Sequence, residues 1–203
     1  KVLGNNKDGI DFSLEDDYYG DTRFHIPFIA WYQVMNASLA LTTMEVLKDR
    51  IPVTMEQLQA GIANTRWQGR METILPGVIV DGAHNEDGVR RFVETAERFQ
   101  KEYPLTLLFS AVNDKDYQDM IHTICSRIKF RKVVTTEVGG YREVPSAELA
   151  EIFCKEGCKD VGNSDNIEEA FHMAHEAKGE DGMLFCVGSL YLVGEIKTLL
   201  LKK

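Results

Sequence analysis

Residues 77–99 read GVIVDGAHNEDGVRRFVETAERF. Val78, Ile79 and Val80 form an unbroken apolar run, the pattern of a strand buried on both faces. Asp81-Gly82-Ala83-His84-Asn85 is a polar turn of mostly small residues. Behind it Val89, Phe92, Val93, Ala96 and Phe99 recur at helical spacing. A buried strand that passes through a tight turn into an amphipathic helix is half of a βαβ unit.

The alternation continues toward the C-terminus. Residues 105–109 read as a strand, Met120, Ile121, Ile124 and Ile128 as one face of a helix, and Val133-Val134 as a strand. Residues 146–153 and 167–177 read as helices, 183–187 as a core strand and 191–201 as a closing helix. Apolar strands separated by helices imply a parallel sheet covered on both faces. The predicted fold class is α/β, a Rossmann-like, doubly wound, mostly parallel sheet over residues 67–203.

Upstream the character differs. Turn residues at Asn5-Asn6, Asp8-Gly9 and Glu15-Asp16-Asp17 flank β-type runs at 10–14 and 22–29, which predicts a strand pair. Leu39, Ala40, Thr43, Met44 and Leu47 mark one face of a first helix. Thr54 and Gln57 have the spacing of a capping box for a second helix through Ile62. The helical pattern lapses over 64–76, a predicted linker. Residues 1–66 are thus a strand-pair and two-helix segment.

Composition narrows the function. The 203 residues are 44% hydrophobic and carry 32 acidic against 23 basic side chains, a formal charge of −9. That excess argues against nucleic acid or an anionic membrane as principal partner. The most apolar stretch, 183–194, is broken by Gly188 and Ser189, and no run approaches the roughly 18 residues of a membrane span. Residues 1–8 lack the apolar segment of a secretory signal, and four cysteines are too few for a disulfide scaffold, so a cytoplasmic location is expected. The chain opens on Lys1, not methionine, which suggests a processed product or a piece of a longer chain.

Ligands of open α/β sheets gather at the carboxyl ends of the strands. At the first such end Asp81 is expected to face the crevice, Gly82 and Ala83 to admit close backbone approach, and His84 to sit at the turn. The alternative is a plain strand-to-helix turn with Asn85 as N-cap and Glu86 and Asp87 in the first helical turn. At the second, Gly188-Ser189 opens a helix, where exposed N–H groups and a hydroxyl suit an anion, or where the serine merely caps. Arg70, in Trp67-Gln68-Gly69-Arg70, offers a two-pronged phosphate donor, or a surface ion pair. Gln33 and Asn36 have carboxamides suited to an adenine edge, or to a helix cap. Weaker candidates are the one-face pairs His172/His175 and Cys154/Cys158, and Lys115 in Asn113-Asp114-Lys115-Asp116. Neither a Gly-x-x-x-x-Gly-Lys-Ser/Thr loop nor a Gly-x-Gly-x-x-Gly fingerprint occurs.

Five short motifs stand in one order: Gln33-x-x-Asn36-Ala37, Trp67-x-Gly69-Arg70-x-Glu72, Asp81-Gly82-Ala83-His84-Asn85, Asp114-Lys115-Asp116 and Gly188-Ser189-Leu190-Tyr191. In this the chain resembles the folylpolyglutamate synthase branch of the Mur ligase family. It departs at Tyr32, where the family usually has histidine, and at Glu86, where proline is common. The resemblance implies that residues 1–66 are the tail of an ATPase domain and 67–203 a glutamate-ligase C-terminal domain. The phosphate loop, magnesium ligands and modified lysine would lie upstream of Lys1.

It further implies an ATP-dependent amide ligase that adds glutamate to the γ-carboxylate of a folate glutamyl tail through an acyl phosphate. Asn36, Arg70 and Asp81 are then the ATP-contacting residues. His84, the candidate catalytic group, and Ser189 lie on the incoming-glutamate side. No metal ligand is assigned within the chain, and its partners are folate, glutamate and ATP, acting on a monomer. The chain by itself would be inactive. The competing reading is a non-catalytic α/β module that binds a nucleotide or a partner.

Overall fold

The computed structural model describes residues 1–6, 9–114, 116–140 and 143–201. They form two compact units, Lys1–Trp67 and Gln68–Lys203.

In the first unit three antiparallel strands, β1 (Val2–Asn6), β2 (Gly9–Phe12) and β3 (Phe24–Ile26), lie in that order. Helices α1 (Tyr32–Val46) and α2 (Met55–Ala63) follow. Ile10, Phe12, Tyr19, Phe24, Ile26, Val34, Ala37, Leu41 and Leu58 make the core. The Tyr19 hydroxyl, deep within it, donates to the Leu41 carbonyl at 2.6 Å, which satisfies a polar atom that burial would otherwise strand.

Two expectations are corrected here. The sheet has a third strand, β1, in a segment whose polar character reads as turn. An edge strand needs only backbone pairing with β2 and no apolar alternation. The buried face of α1 is Gln33, Val34, Ala37 and Leu41, while Leu39 is 69% exposed. Met35 and Leu39 put a second apolar row on this helix, so periodicity alone admits either face. The capping box of α2 forms as its spacing predicts: Thr54 Oγ1 accepts from the Gln57 N–H, and Gln57 Oε1 from the Thr54 N–H.

The second unit is a six-stranded sheet in the order β4-β5-β9-β6-β7-β8. Its strands are β4 (Glu72–Leu75), β5 (Val78–Asp81), β6 (Leu105–Phe109), β7 (Phe130–Thr135), β8 (Val161–Asn163) and β9 (Met183–Val187). All pairs are parallel except the β4–β5 edge. The helices are α3 (Glu86–Phe99), α4 (Tyr117–Arg127), α5 (Ser146–Lys155), α6 (Ile167–Lys178) and α7 (Leu190–Leu201).

Strand side chains alternate between faces. Val78, Val80, Leu108, Val134, Leu184 and Cys186 join Ala170, Phe171, Leu192 and Ile196 of α6 and α7 in one core. Their neighbours Phe109 and Phe185 turn the other way, edge-on to Phe153 of α5 and to Phe92 and Phe99 of α3. The doubly wound α/β expectation holds. The 64–76 stretch, expected to be a linker, contains β4, and β8 has no counterpart in the sequence reading. Both are short, half-buried edge strands without an apolar run.

Candidate functional site

The parallel register sets Asp81 beside Val187 and Val187 beside Phe109, so β5, β9 and β6 end level with one another. Each continues into a turn that carries one of the noted motifs.

The β5 turn is laced to the loop before β4. The Gly82 N–H donates to the Gly69 carbonyl at 2.7 Å, and the Asp81 carboxylate accepts from the Met71 N–H at 2.8 Å and the Ala83 N–H at 2.8 Å. Both carboxylate oxygens are therefore engaged, and Asp81 is only 3% exposed. The expectation that its side chain faces the crevice is corrected: it turns inward because two backbone donors would otherwise be buried unpaired. Burial raises its carboxyl to about 6, against the lowering effect of these N–H bonds and of the Arg70 and His84 charges.

Glu72 extends the lacing. It accepts from the Gly69 N–H at 2.7 Å and pairs with Lys197 of α7 at 2.8 Å. No local signal in the sequence joins Glu72 to Lys197. Helix α7 also covers the turn directly, for a Cβ on Gly82 would stand 2.2 Å from Leu190 Cδ2. Gly188, at φ +108°, is fixed more tightly, since its Cβ would meet the Ser110 carbonyl oxygen at 2.1 Å. Three of the five motifs thus meet at one strand edge, held by glycines that nothing larger can replace without movement.

On this frame Arg70 is half-buried and makes no hydrogen bond or ion pair among the described residues. His84 places Nδ1 2.7 Å from the Gly82 carbonyl oxygen. A carbonyl only accepts, so Nδ1 carries a proton, and whenever the ring is neutral Nε2 is the acceptor nitrogen.

Ser189 is 2% exposed, and its Oγ accepts from the Tyr191 N–H at 3.1 Å. It caps α7, as Asn85 caps α3 by accepting from the Gly88 N–H at 2.8 Å.

Other candidates fall elsewhere. Asn36 is exposed on α1, in the first unit, and donates through Nδ2 to Gln33 Oε1 at 2.9 Å. Trp31, not Asn36, is the N-cap of α1. His172 lies 3.9 Å from Glu168, and His175 stacks on Phe171. Cys158 faces Cys125 rather than Cys154. Asp116 caps α4, while Lys115 lies outside the described residues.

The glutamate ligase domain of the Mur ligases matches residues 69–190, more than half of the chain. The chain is 30% identical, over 92% of its length, to dihydrofolate synthase/folylpolyglutamate synthase of Bacillus subtilis, of which it covers 43%. It is 25% identical to a probable dihydrofolate synthetase of Schizosaccharomyces pombe, with 95% of this chain and 48% of that protein aligned. Among solved structures, Mycobacterium tuberculosis folylpolyglutamate synthase, complexed with ADP and AMPPCP, superposes with a TM-score of 0.78 at 25% identity. That match covers 98% of this chain and 47% of the other. Folylpolyglutamate synthase of Thermotoga maritima gives 0.77 at 25% identity, over 99% and 46%. The chain spans somewhat less than half the length of these relatives. On the strength of the matched domain and of the three motifs gathered at its strand edge, the chain belongs to the Mur ligase family.

Proposed function

We propose that this chain is the glutamate-ligase part of an ATP-dependent amide ligase that lengthens the glutamyl tail of a folate. The observation that carries the reading is the meeting of the Gly69–Glu72, Asp81–Asn85 and Gly188–Tyr191 motifs at one carboxyl edge, where Arg70 and His84 Nε2 have no hydrogen-bond partner among the described residues. Residues 67–203 are read as the glutamate-ligase domain and 1–66 as the tail of an ATPase domain.

ATP phosphorylates the γ-carboxylate and leaves as ADP. The amino nitrogen of glutamate attacks the acyl phosphate carbon, the amide forms, and inorganic phosphate departs. Arg70 serves the phosphate side, where a planar, permanently charged donor pair matches phosphate oxygens. Asp81 acts there through the loop it pins, since both its oxygens are occupied. Asn36 is assigned to adenine.

His84 and Ser189 serve the incoming glutamate. With its Nδ1–H directed to the Gly82 carbonyl, the His84 ring offers Nε2 to the glutamate ammonium group and takes its proton, so that the neutral amine attacks. Ser189 retains a hydroxyl proton for a carboxylate while its oxygen caps α7. No group of three His, Cys, Asp or Glu side chains that could hold a metal ion occurs among the described residues. The reading places the enzyme in the cytoplasm as a monomer. No helix among the described residues is long and apolar enough to cross a membrane.

The test is a chimera in which this chain replaces the matching part of the Bacillus subtilis relative. Glutamate incorporation into a folate acceptor, dependent on ATP, is the expected result. A folded chimera that binds ATP and transfers no glutamate would favour the non-catalytic module. The chain alone, which has no phosphate loop, is expected to hydrolyse no ATP.

A further inference from the structure

Two thiols that take no part in the crevice stand against each other at the opposite edge of the sheet. Cys125 lies in α4 and Cys158 just beyond α5, with their Sγ atoms 3.6 Å apart. These helices start at the carboxyl ends of β6 and β7 and run back, so their last turns lie at the amino edge, away from Asp81 and Val187. Both cysteines are half-buried and unbridged.

Cys158 is held by backbone geometry. Gly157, at φ +95°, ends α5 in the left-handed region. Its N–H donates to the Cys154 carbonyl at 3.0 Å, and the Cys158 N–H donates to the Phe153 carbonyl at 3.0 Å. This is the paired-bond C-terminal motif of helices, and Phe153 anchors it in the core. Cys125 is as well fixed, since the preceding Ile124 is fully buried. The sulfurs stand in thiol contact at 3.6 Å, against the roughly 2.05 Å of a disulfide.

Either thiol can donate to the other across this contact. The thiol of this pair that ionises first is the attacking sulfur. Cys186 is wholly buried, and burial pushes its thiol up, which removes it from competition.

We propose that Cys125 and Cys158 form a reversible thiol–disulfide site for low-molecular-weight disulfides such as oxidised glutathione. One thiol of the pair loses its proton, its thiolate attacks one glutathione sulfur, the S–S bond breaks, and the expelled glutathione thiolate takes up a proton. The other thiol then loses its proton to solvent and attacks the glutathionylated Sγ, and the second glutathione leaves as a thiolate that takes up a proton. Two protein thiols are oxidised and one glutathione disulfide is reduced to two thiols. The new bond closes the segment between residues 125 and 158 and clamps α4 to the end of α5.

The 203-residue chain is incubated with oxidised glutathione and read by intact mass, peptide mapping and melting temperature. The expected result is the loss of two hydrogens' mass, a Cys125–Cys158 crosslinked peptide, and a melting temperature higher by about 5 °C. A reducing dithiol reverses all three, and Cys154→Ser leaves them unchanged. Cys125→Ser and Cys158→Ser each leave no crosslink and trap the remaining thiol of the pair as a glutathione adduct. A Cys154–Cys158 crosslink, adducts confined to Cys154, or a Cys125–Cys158 bond formed only in denaturant would overturn the proposal. The map of the unmutated chain decides it even where a variant misfolds.

Discussion

The carboxylate of Asp81 holds the backbone N–H of Met71 at 2.8 Å, and this bond fixes a loop in a conformation it would not choose. Met71 has φ 45°, a left-handed backbone that costs a residue with a Cβ about 1–2 kcal/mol. It is nonetheless 2% exposed, so burial of its side chain and the bond to Asp81 together offset the strain. Arg70 stands between two residues constrained to positive φ, Gly69 at 68° and Met71. Its backbone is therefore set before any ligand arrives.

Burial gives Asp81 a signature in the pH dependence of stability. Its carboxyl is raised to about 6 by burial, above the unfolded value of about 3.9. Between those values the folded state holds the proton that the unfolded state releases. This residue's contribution therefore falls as pH rises from about 4 to about 6, by on the order of 3 kcal/mol, and is level above that. Asp81→Asn removes the step. Urea unfolding of both proteins across this range checks it, and parallel stability curves would refute it.

Gly188 should be the least replaceable glycine of the crevice. Gly188→Ala places a methyl group 2.1 Å from a backbone oxygen that no side-chain rotation can move, at φ +108°. A loss of about 3 kcal/mol or more is expected. Gly157→Ala is the control: φ is +95° but nothing lies within 4 Å, so about 1 kcal/mol is expected. Equal melting temperatures for the two variants would show that contact with Ser110 does not matter.

Ser189 and His84 separate structure from substrate. Ser189→Ala removes a cap and should cost about 1 kcal/mol in the isolated chain. In the full ligase, Ser189→Ala and His84→Ala should each raise the KM for glutamate and leave the KM for ATP nearly unchanged. Steady-state kinetics on both substrates decides between roles. Loss of stability with normal glutamate kinetics would reduce Ser189 to its cap.

Arg70 offers a test of shape against charge. Arg70→Lys keeps the charge and loses the fork, so it should be impaired nearly as much as Arg70→Ala. The expected loss is on the order of 2 kcal/mol in kcat/KM for ATP. Unchanged ATP kinetics in Arg70→Ala would return the residue to the role of a surface cation.

The sheet strands β5, β6, β7 and β9 and the helices α3 to α7 are legible in the sequence because each buries a contiguous or periodic apolar set. Burial on that scale outweighs local propensity, and the pattern survives in the residues themselves. The strands β1, β4 and β8 are not legible, because they lie at sheet edges and are held by backbone bonds, which every residue type makes alike. The inner face of α1 was equally undecidable, for Leu39 and Leu41 have the same chemistry and only the position of the sheet distinguishes them. At the crevice the turn residues, the Asn85 cap and the glycines could be named from spacing, since a strand that ends in a helix dictates small and polar residues there. The inward turn of Asp81, the Glu72–Lys197 pair and the contact of Cys125 with Cys158 join positions 10, 125 and 33 residues apart. Such contacts depend on where separately formed elements dock, and docking is set by the packing of whole surfaces and not by any local run of sequence.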